Sequence, residues 1–531
     1  MNSKFPVFEK FDSEINFKAK EKNTFKLRLY AFPFVIFFIF LLLFVRLFQL
    51  TIVKGSYYRY ISEKNRIREV LTQAPRGKVL DRNGYTLSYS VEQDEKQKRY
   101  YNEPLAMAHL IGYQQLASEE EITKDACPEK LRIGDKIGKS GIEKIYECLL
   151  RGKKGKKMIE INAQGKYLNT LSIQPPIEGD TITTSIDLEL QKKAYDLIKD
   201  QKGSVIVTQP DTAEVLAIVS APTFNPEDFE NNNDAKITQY FKDPEQPMFD
   251  RVDRGVYPPG SVLKPMLAAG ALEDKLISRN FQIEDTGFIK AGETSFGNWY
   301  YIEHGKTEGS VDVVKALKRS NDIFFYRLGE RLGEKGMTKW ANAFGFGRKT
   351  GMPLGDADGL IPSSFWKREH IKEPWYLGDT YNLSIGQGYM QATPLQVNLA
   401  TLPFANGGNY CKPKLLKIDN DYAPECKKMK LSAETLQIIR EGMKQACQTG
   451  GTGWPLFDFK VKDKSIPIGC KTGTAESHAK SGKPHAWFTA FAPFDKPEIA
   501  VTVMIEEGGQ GSDAAAPIAR EIFKTYFGRQ Q

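Results

Sequence analysis

The spacing of hydrophobic positions changes several times along the chain, and each change marks an element. From Leu29 to Val45 the run "LYAFPFVIFFIFLLLFV" carries no charge, and apolar character continues to Val53 past Arg46 and Gln49. That length suffices for a helix across a bilayer, with Arg46 able to reach outward. A cleaved signal peptide is the competing reading, but "RLFQLTIVKGSYY" beyond it offers no small-x-small cleavage site, so a retained span is expected. Next, "APRGKVLDRNGYTLSYS" gives two short strand-like runs around Asn83-Gly84, a hairpin signal. From Thr181, "TTSIDLELQKKAYDLIKD" repeats apolar residues at helical spacing, with Ser185 or Asp187 near its start. "GSVIVTQPDTAEVLAIVSAP" and "AWFTAFAPFDKPEIAVTVMIEE" each give two β-rich runs, turning at Gln209–Ala213 and Pro493–Pro497. Helical stretches lie between them, and "DAAAPIAREIFKTYF" closes the chain as a helix. Hairpins at both ends of a region with helices between predict an antiparallel sheet covered by helices, an α+β fold.

Composition narrows this picture only a little. A chain of 531 residues holds about two to four units. With 41% hydrophobic and 26% charged residues it builds a core rather than staying disordered. A net charge of +8 is mild at this length; it suits an anionic envelope or membrane surface and gives no sign of nucleic acid. Five Lys/Arg lie in the fifteen residues before Leu29 and five in the fifteen after Val53, so charge counting does not orient the span. A long C-terminal part usually crosses regardless, which favours a short inner tail. "GDKIGKS" has three residues between its glycines where a phosphate loop needs four, so nucleotide binding there is rejected. The basic run "RGKKGKK" at 151–157 is expected to be a solvated loop. The six cysteines show no CxxC spacing, so zinc is not expected. Their even number permits disulfides in fifteen connectivities, with six reduced cysteines as the alternative. Cys411 with Cys426, around a Pro-containing loop, and Cys127 with Cys148 are the candidate pairs.

The candidate chemistry begins at "YPPGSVLKP". Serine precedes lysine by three residues at Ser261/Lys264, Ser364/Lys367 and Ser477/Lys480. Only the first pair opens an apolar, alanine-rich helix, where positions i and i+3 share a face. A helix start disfavours a protonated lysine, and a partly desolvated lysine can take the serine proton and make the serine a nucleophile. A capping serine beside a snorkelling lysine is the bland alternative. Further on, Ser320, Asn321 and Asp322 precede an apolar helix, and Lys471-Thr472-Gly473-Thr474 sits in a β-rich run. Ser-x-x-Lys, then Ser-x-Asn/Asp, then Lys-Thr-Gly, in that order, is the signature of serine acyl-transferases acting on D-alanyl peptides or β-lactams. In that scheme Ser261 attacks and Lys264 is its base. Ser320 and Asp322 relay a proton or position the lysine, and Lys471 and Thr472 receive a substrate carboxylate. Gly473 keeps the strand edge open, and backbone N–H groups of Ser261 and Thr474 form an oxyanion hole. No spacing of His304, His370, His478 and His485 makes a metal site; all four are expected on the surface or in loops, with His478 and His485 able to line the cleft.

On these motifs, with "KTGTAE", "GTGW", "YNLSIGQGYMQATPLQ", "RGKVLDRNGYTLS" and "GKSGIEKIYECLLRG", the chain resembles the class B penicillin-binding proteins. Asp322, the following "IFFY" and "PWYLGDTYNLSIGQGY" are similar to the elongation type within that class. The resemblance implies a penicillin-binding, serine β-lactamase-like transpeptidase fold at 181–531 and a non-catalytic, dimerisation-like pedestal at 54–180. Ahead of these it implies a cytoplasmic tail at 1–28 and a transmembrane helix at 29–53. It further implies cross-linking of peptidoglycan stem peptides without a cofactor, covalent capture of β-lactams at Ser261, and a single-pass protein of the inner membrane with its catalytic part outside. The 54–180 stretch is short for the class, and it carries no acidic motif of a glycosyltransferase, so a membrane-embedded glycan polymerase is the expected partner. Two other readings are a D,D-carboxypeptidase or β-lactamase-like hydrolase, and a penicillin-binding sensor or scaffold. The anchor with its long pedestal argues against a β-lactamase, the intact motif set against a dead scaffold, and the 28-residue tail against a sensor with an inner effector.

Overall fold

The computed structural model describes residues 22–93, 96–162, 164–417, 424–477 and 482–529. His478 and Lys480 lie outside the described residues, as does the tail up to Glu21. Two compact units result, one of Met1–Thr72 with Gly155–Pro175 and one of Gln73–Lys154 with Pro176–Gln531. The unit boundaries therefore divide the 54–180 region, most of which is compact with the catalytic part.

In the first unit a helix at Lys22–Phe48 runs into a π-turn at Gln49–Val53, and a second helix follows at Gly55–Arg66. Within it Phe32–Val53, 22 residues of mean hydropathy 2.6, is long and apolar enough to cross a membrane, and none of its residues is buried inside the protein. Ile67–Thr72, Gly155–Ile161 and Tyr167–Gln174 complete the unit as a three-stranded antiparallel sheet.

The second unit is built around five antiparallel strands: β1 (Gly203–Thr208), β2 (Val215–Ala221), β3 (Gly469–Ala475), β4 (His485–Ala492) and β5 (Ile499–Ile505). Their order is β2-β1-β5-β4-β3, so the two hairpins read in the sequence meet where β1 pairs with β5, Gly203 opposite Ile505. Along β1, Val205 and Val207 enter one hydrophobic core and Ile206 the other, the alternation of a strand buried on both faces. Helices α1 (Leu188–Ile198) and α7 (Ala515–Arg529) cover one face and α5 (Pro394–Ala405) the other. On that second side α2 (Lys264–Glu273) packs on α4 (Asp322–Ala343), with α3 (Val313–Arg319) against α6 (Ala433–Ala446). Asp187 starts α1 by accepting from Leu190 N–H at 3.0 Å, settling the choice between Ser185 and Asp187. The Asn83-Gly84 turn forms because Asp81 accepts from the N–H groups of Asn83 and Tyr85 at 2.7 and 2.8 Å.

The run at 151–157 is not a solvated loop. Arg151 pairs with Asp125 at 2.6 Å and Glu147 at 2.9 Å, Lys154 pairs with Asp135, and Gly155–Lys157 begin a strand. Tethered carboxylates neutralise the charges that made the run read as exposed. All six cysteines pair: Cys127–Cys148, Cys411–Cys426 and Cys447–Cys470. The first two are the candidate pairs. The third joins the C-terminal end of α6 to β3, two elements that no sequence pattern brings together.

Candidate active site

Pro258, Pro259 and Gly260 deliver the chain into a single 3₁₀ turn, Gly260–Leu263, and only then does α2 begin, at Lys264. Ser261 is therefore not in the first turn of an α-helix but in the tighter turn before it. A 3₁₀ turn eclipses positions i and i+3, so Ser261 and Lys264 stand on one line. Gly260 has φ +57°, and a β-carbon there would stand 3.0 Å from the carbonyl oxygen of Thr474 in β3. The turn is thus pressed onto the strand that carries the Lys-Thr-Gly run. Ser261 stays half exposed, while Lys264 is fully buried.

The Lys264 ammonium donates to Asp322 Oδ1 at 2.6 Å and to the Ser320 carbonyl at 2.8 Å, with Ser320 Oγ at 3.4 Å. Ser320 closes α3 in the left-handed region, at φ +57°. A non-glycine residue held there costs about 1–3 kcal/mol and persists only where its surroundings fix it. Asn321 is one such constraint: its side chain caps α4 through Phe324 N–H and donates to Asp285 and Glu308. Asp322 is held from its other side, Oδ2 accepting from Trp299 N–H at 3.0 Å.

From β3, the buried Lys471 reaches the same serine, donating to Ser320 Oγ at 2.9 Å and to the Thr472 carbonyl at 2.8 Å. Ser320 thus lies between two amines. Thr472 donates to Thr452 Oγ1 at 2.7 Å, and Gly511 N–H approaches Thr474 Oγ1 at 3.4 Å. Gly473 is a necessity here, since a β-carbon would lie 3.0 Å from Val262 and Trp487 side chains and 3.2 Å from Pro259 O. Ser261, Ser320, Asp322, Thr472, Gly473 and Thr474 line one cleft of about 880 Å³, together with Trp299, Tyr326 and Thr452. Those last three were missed as site residues. Thr452 lies in the quoted "GTGW" and Tyr326 ends the quoted "IFFY", but Trp299 comes from a segment whose local pattern says nothing of a cleft.

Burial lowers the Lys264 pKa, and the Asp322 carboxylate offsets only part of that fall. Lys471 is held well below its ordinary value by burial first and by the Lys264 charge second, with Asp322 opposing. The two amines share a site and discourage each other's protonation. The second serine–lysine pair behaves oppositely. Burial also works against Lys367, but Asp379 at 2.7 Å outweighs it and the pKa is raised, leaving an ion pair and not a base. Among the described histidines, His304 is exposed yet lines the cleft, and His370 is exposed, its Nδ1 3.0 Å from the Trp366 carbonyl oxygen, which can only accept. His485 does not reach the cleft lining; it sits in β4, 5.4 Å from the Tyr257 ring.

A half-exposed serine eclipsed with a buried amine, a serine bridging that amine to a second one, and a Lys-Thr-Gly strand whose glycine lets the nucleophile turn pack against it define the penicillin-interacting class of serine acyl-transferases. Residues 203–524 match the penicillin-binding protein transpeptidase domain, and residues 88–184 match the penicillin-binding protein dimerisation domain. The chain belongs to the penicillin-binding protein transpeptidase family. It is 33% identical over 485 residues to the peptidoglycan D,D-transpeptidase MrdA of Haemophilus influenzae, across 84% of this chain and 72% of that protein. The Escherichia coli MrdA is 32% identical over 457 residues, across 81% and 71%. Among solved structures, penicillin-binding protein 2 of Pseudomonas aeruginosa superposes with a TM-score of 0.75 at 32% identity, covering 86% of this chain and 96% of that one. The Helicobacter pylori penicillin-binding protein 2, solved in complex with MreC, gives 0.74 at 26% identity, covering 87% and 98%.

Proposed function

We propose that this chain is a membrane-anchored D,D-transpeptidase that cross-links peptidoglycan stem peptides during cell-wall elongation, through an acyl-enzyme on Ser261. The observation that carries the reading is the buried Lys264 amine, with its lowered pKa, one 3₁₀ turn from Ser261 and hydrogen-bonded to Ser320 and Asp322. Lys264 takes the Ser261 proton as Oγ attacks the carbonyl of the D-alanyl-D-alanine bond. The oxyanion is held by the N–H groups of Ser261 and Thr474. The C–N bond then breaks, and Ser320 passes a proton to the leaving amine. Lys471, Thr472 and Thr474 receive the terminal carboxylate. Lys471 has no carboxylate within hydrogen-bond distance among the described residues, so an arriving one supplies the charge that its burial lacks. Gly473 lets the substrate backbone lie along β3. A β-lactam follows the same first step and remains on Ser261.

The anchor is the Phe32–Val53 helix, with the catalytic unit on the outer side of the inner membrane. Three disulfides suit an oxidising compartment. The functional division is 1–28 tail, 29–53 span, 54–180 pedestal and 181–531 transpeptidase. A membrane-embedded glycan polymerase is the partner. Supporting this are the relative solved with MreC and a structure described as a peptidoglycan synthase complex coordinating polymerization and crosslinking, which superposes at TM-score 0.76 with 25% identity over 95% of this chain. Detergent co-purification is expected to recover such a polymerase, and polymerisation of lipid-linked precursor by the chain alone would refute the partnership. Labelling with a fluorescent penicillin followed by peptide mapping tests the site: the label belongs on the Ser261 peptide, and recovery on Ser364 removes the assignment.

A further inference from the structure

Behind the cleft stands a carboxylate that belongs to no motif. Asp285 ends the strand Gln282–Asp285 and is 2% exposed. Its charge is answered by N–H groups. Oδ1 accepts from Gly287 N–H at 2.8 Å. Oδ2 accepts three times, from the Asn298 and Asn321 side-chain amides at 2.9 Å each and from Glu308 N–H at 3.0 Å. Burial of a carboxylate is tolerated only with such bonds, and bonds of this charged kind are about twice as strong as neutral ones.

Two of these donors lead to the reacting groups. Asn321 is the middle residue of the Ser320-Asn321-Asp322 turn, and its own oxygen starts α4 by accepting from Phe324 N–H. Asn298 turns its other end to the same turn, Oδ1 accepting from Asp322 N–H at 3.0 Å. The next residue, Trp299, donates its N–H to Asp322 Oδ2. Both asparagines are fully buried, so a bond lost there is not replaced by bulk water. One atom, Asp285 Oδ2, thus holds both side chains that fix the turn, while Asp322 Oδ1 meets the Lys264 ammonium at 2.6 Å. Glu308 also reaches the Asn321 amide, at 3.1 Å, but its charge bears on Lys264 directly. Asp285 lies outside the cleft lining and reaches the reaction only through the turn.

We infer that Asp285 is a positioning residue of the acyl transfer: through Asn298 and Asn321 it holds the turn that sets Asp322 against Lys264. The inference rests on the transpeptidase reading above, in which Lys264 is the base. Its consequence is read in the titration of Lys264, which is faced by Asp322, Glu308 and Lys471. Asp322 favours the ammonium form. A looser Asp322 favours it less, so the Lys264 pKa falls, and the pH below which acylation is lost falls with it. The rate above that pH falls as well, because Ser320 rides on the same turn and loses its register with the two amines.

The test measures second-order acylation of the full-length protein in detergent by a fluorescent penicillin, across pH. Asp285→Asn keeps the size of the side chain but offers an amide, with a single acceptor oxygen, to the converging donors. Acylation on the plateau is expected to fall about tenfold, as it does when reacting groups are misplaced. The acid limb is expected to move to lower pH, by less than in Asp322→Asn. In the Asp322→Asn background it should move no further, since the path through Asp322 is already cut. Asn298→Ala, which leaves the Asp285 charge in place, should displace the limb in the same direction. The midpoint of the limb does not depend on how much of the protein is folded, so a merely structural loss leaves it in place. An unmoved limb in both single variants overturns the inference, whatever happens to the melting temperature. An equal displacement with and without Asp322 overturns it too, since Asp285 would then act by its own field. A wild-type protein that penicillin does not label overturns the transpeptidase reading itself.

Discussion

Lysine follows serine by three residues at 264 and at 367, and the surroundings of the two act in opposite directions. Lys264 is buried, and the Asp322 carboxylate, with Glu308 beyond it, only partly offsets the loss of water, whereas Asp379 keeps Lys367 charged. In the proposed mechanism Lys264 acts in its neutral form, so acylation by penicillin should rise with pH through a pKa below the ordinary 10.5. Asp322→Asn removes the group that supports the charged form. Its acid limb should therefore move to lower pH, even as the rate falls because the Ser320 turn loses an anchor. Lys264→Arg should lose nearly all acylation, because arginine keeps the charge but does not release its proton. Second-order acylation rates across pH check both, and an unmoved acid limb in Asp322→Asn would exclude Lys264 as the titrating base. At this scale the sequence named eight motif residues from their order and spacing, and the fold brings those eight to one place. Tyr326 ended the quoted "IFFY" without being singled out, and Trp299 stayed hidden: it reaches the cleft only through the fold, and nothing in its neighbours' periodicity records that.

The element with the most demands on it is β3. Its first half is tied to α6 by Cys447–Cys470, and the Gly451–Trp454 loop folds over that bond, with a β-carbon on Gly453 only 2.8 Å from either sulfur. Cutting the bond frees a 23-residue connection, worth about 3 kcal/mol in the chain-entropy account. Replacing Cys447 and Cys470 together by serine should lower the melting temperature and slow penicillin acylation, because Thr452 and Lys471 ride on the loop and strand it joins. Calorimetry beside acylation kinetics tests this; a slower rate with an unchanged melting temperature would contradict the account. Gly473→Ala is the sharper probe. Its methyl meets Val262 and Trp487, so the nucleophile turn must shift by a few tenths of an ångström, and acylation should fall at least about tenfold, as misplacement of reacting groups does. The elements themselves were readable wherever period or turn chemistry was strong: both hairpins, the Asp187-capped helix and the closing helix. The basic run at 151–157 misled because its acidic partners sit up to 26 residues away in sequence.

For the whole molecule, the proposed placement outside the membrane predicts that a C-terminal alkaline phosphatase fusion is active, and a dark phosphatase with a bright green-fluorescent fusion would reverse the topology. The order β2-β1-β5-β4-β3 also bears on how the protein is made. β1 ends at Thr208, yet its neighbour β5 begins at Ile499, so the sheet stays open until nearly the whole chain has left the ribosome. Pairings this distant in sequence are slow to form. The serine at 261 emerges long before Lys471, and until β3 docks on its turn it is an ordinary alcohol. A chain stalled or cleaved before Gly469 would therefore present the envelope with a harmless fragment, unreactive towards stem peptides and invisible to penicillin.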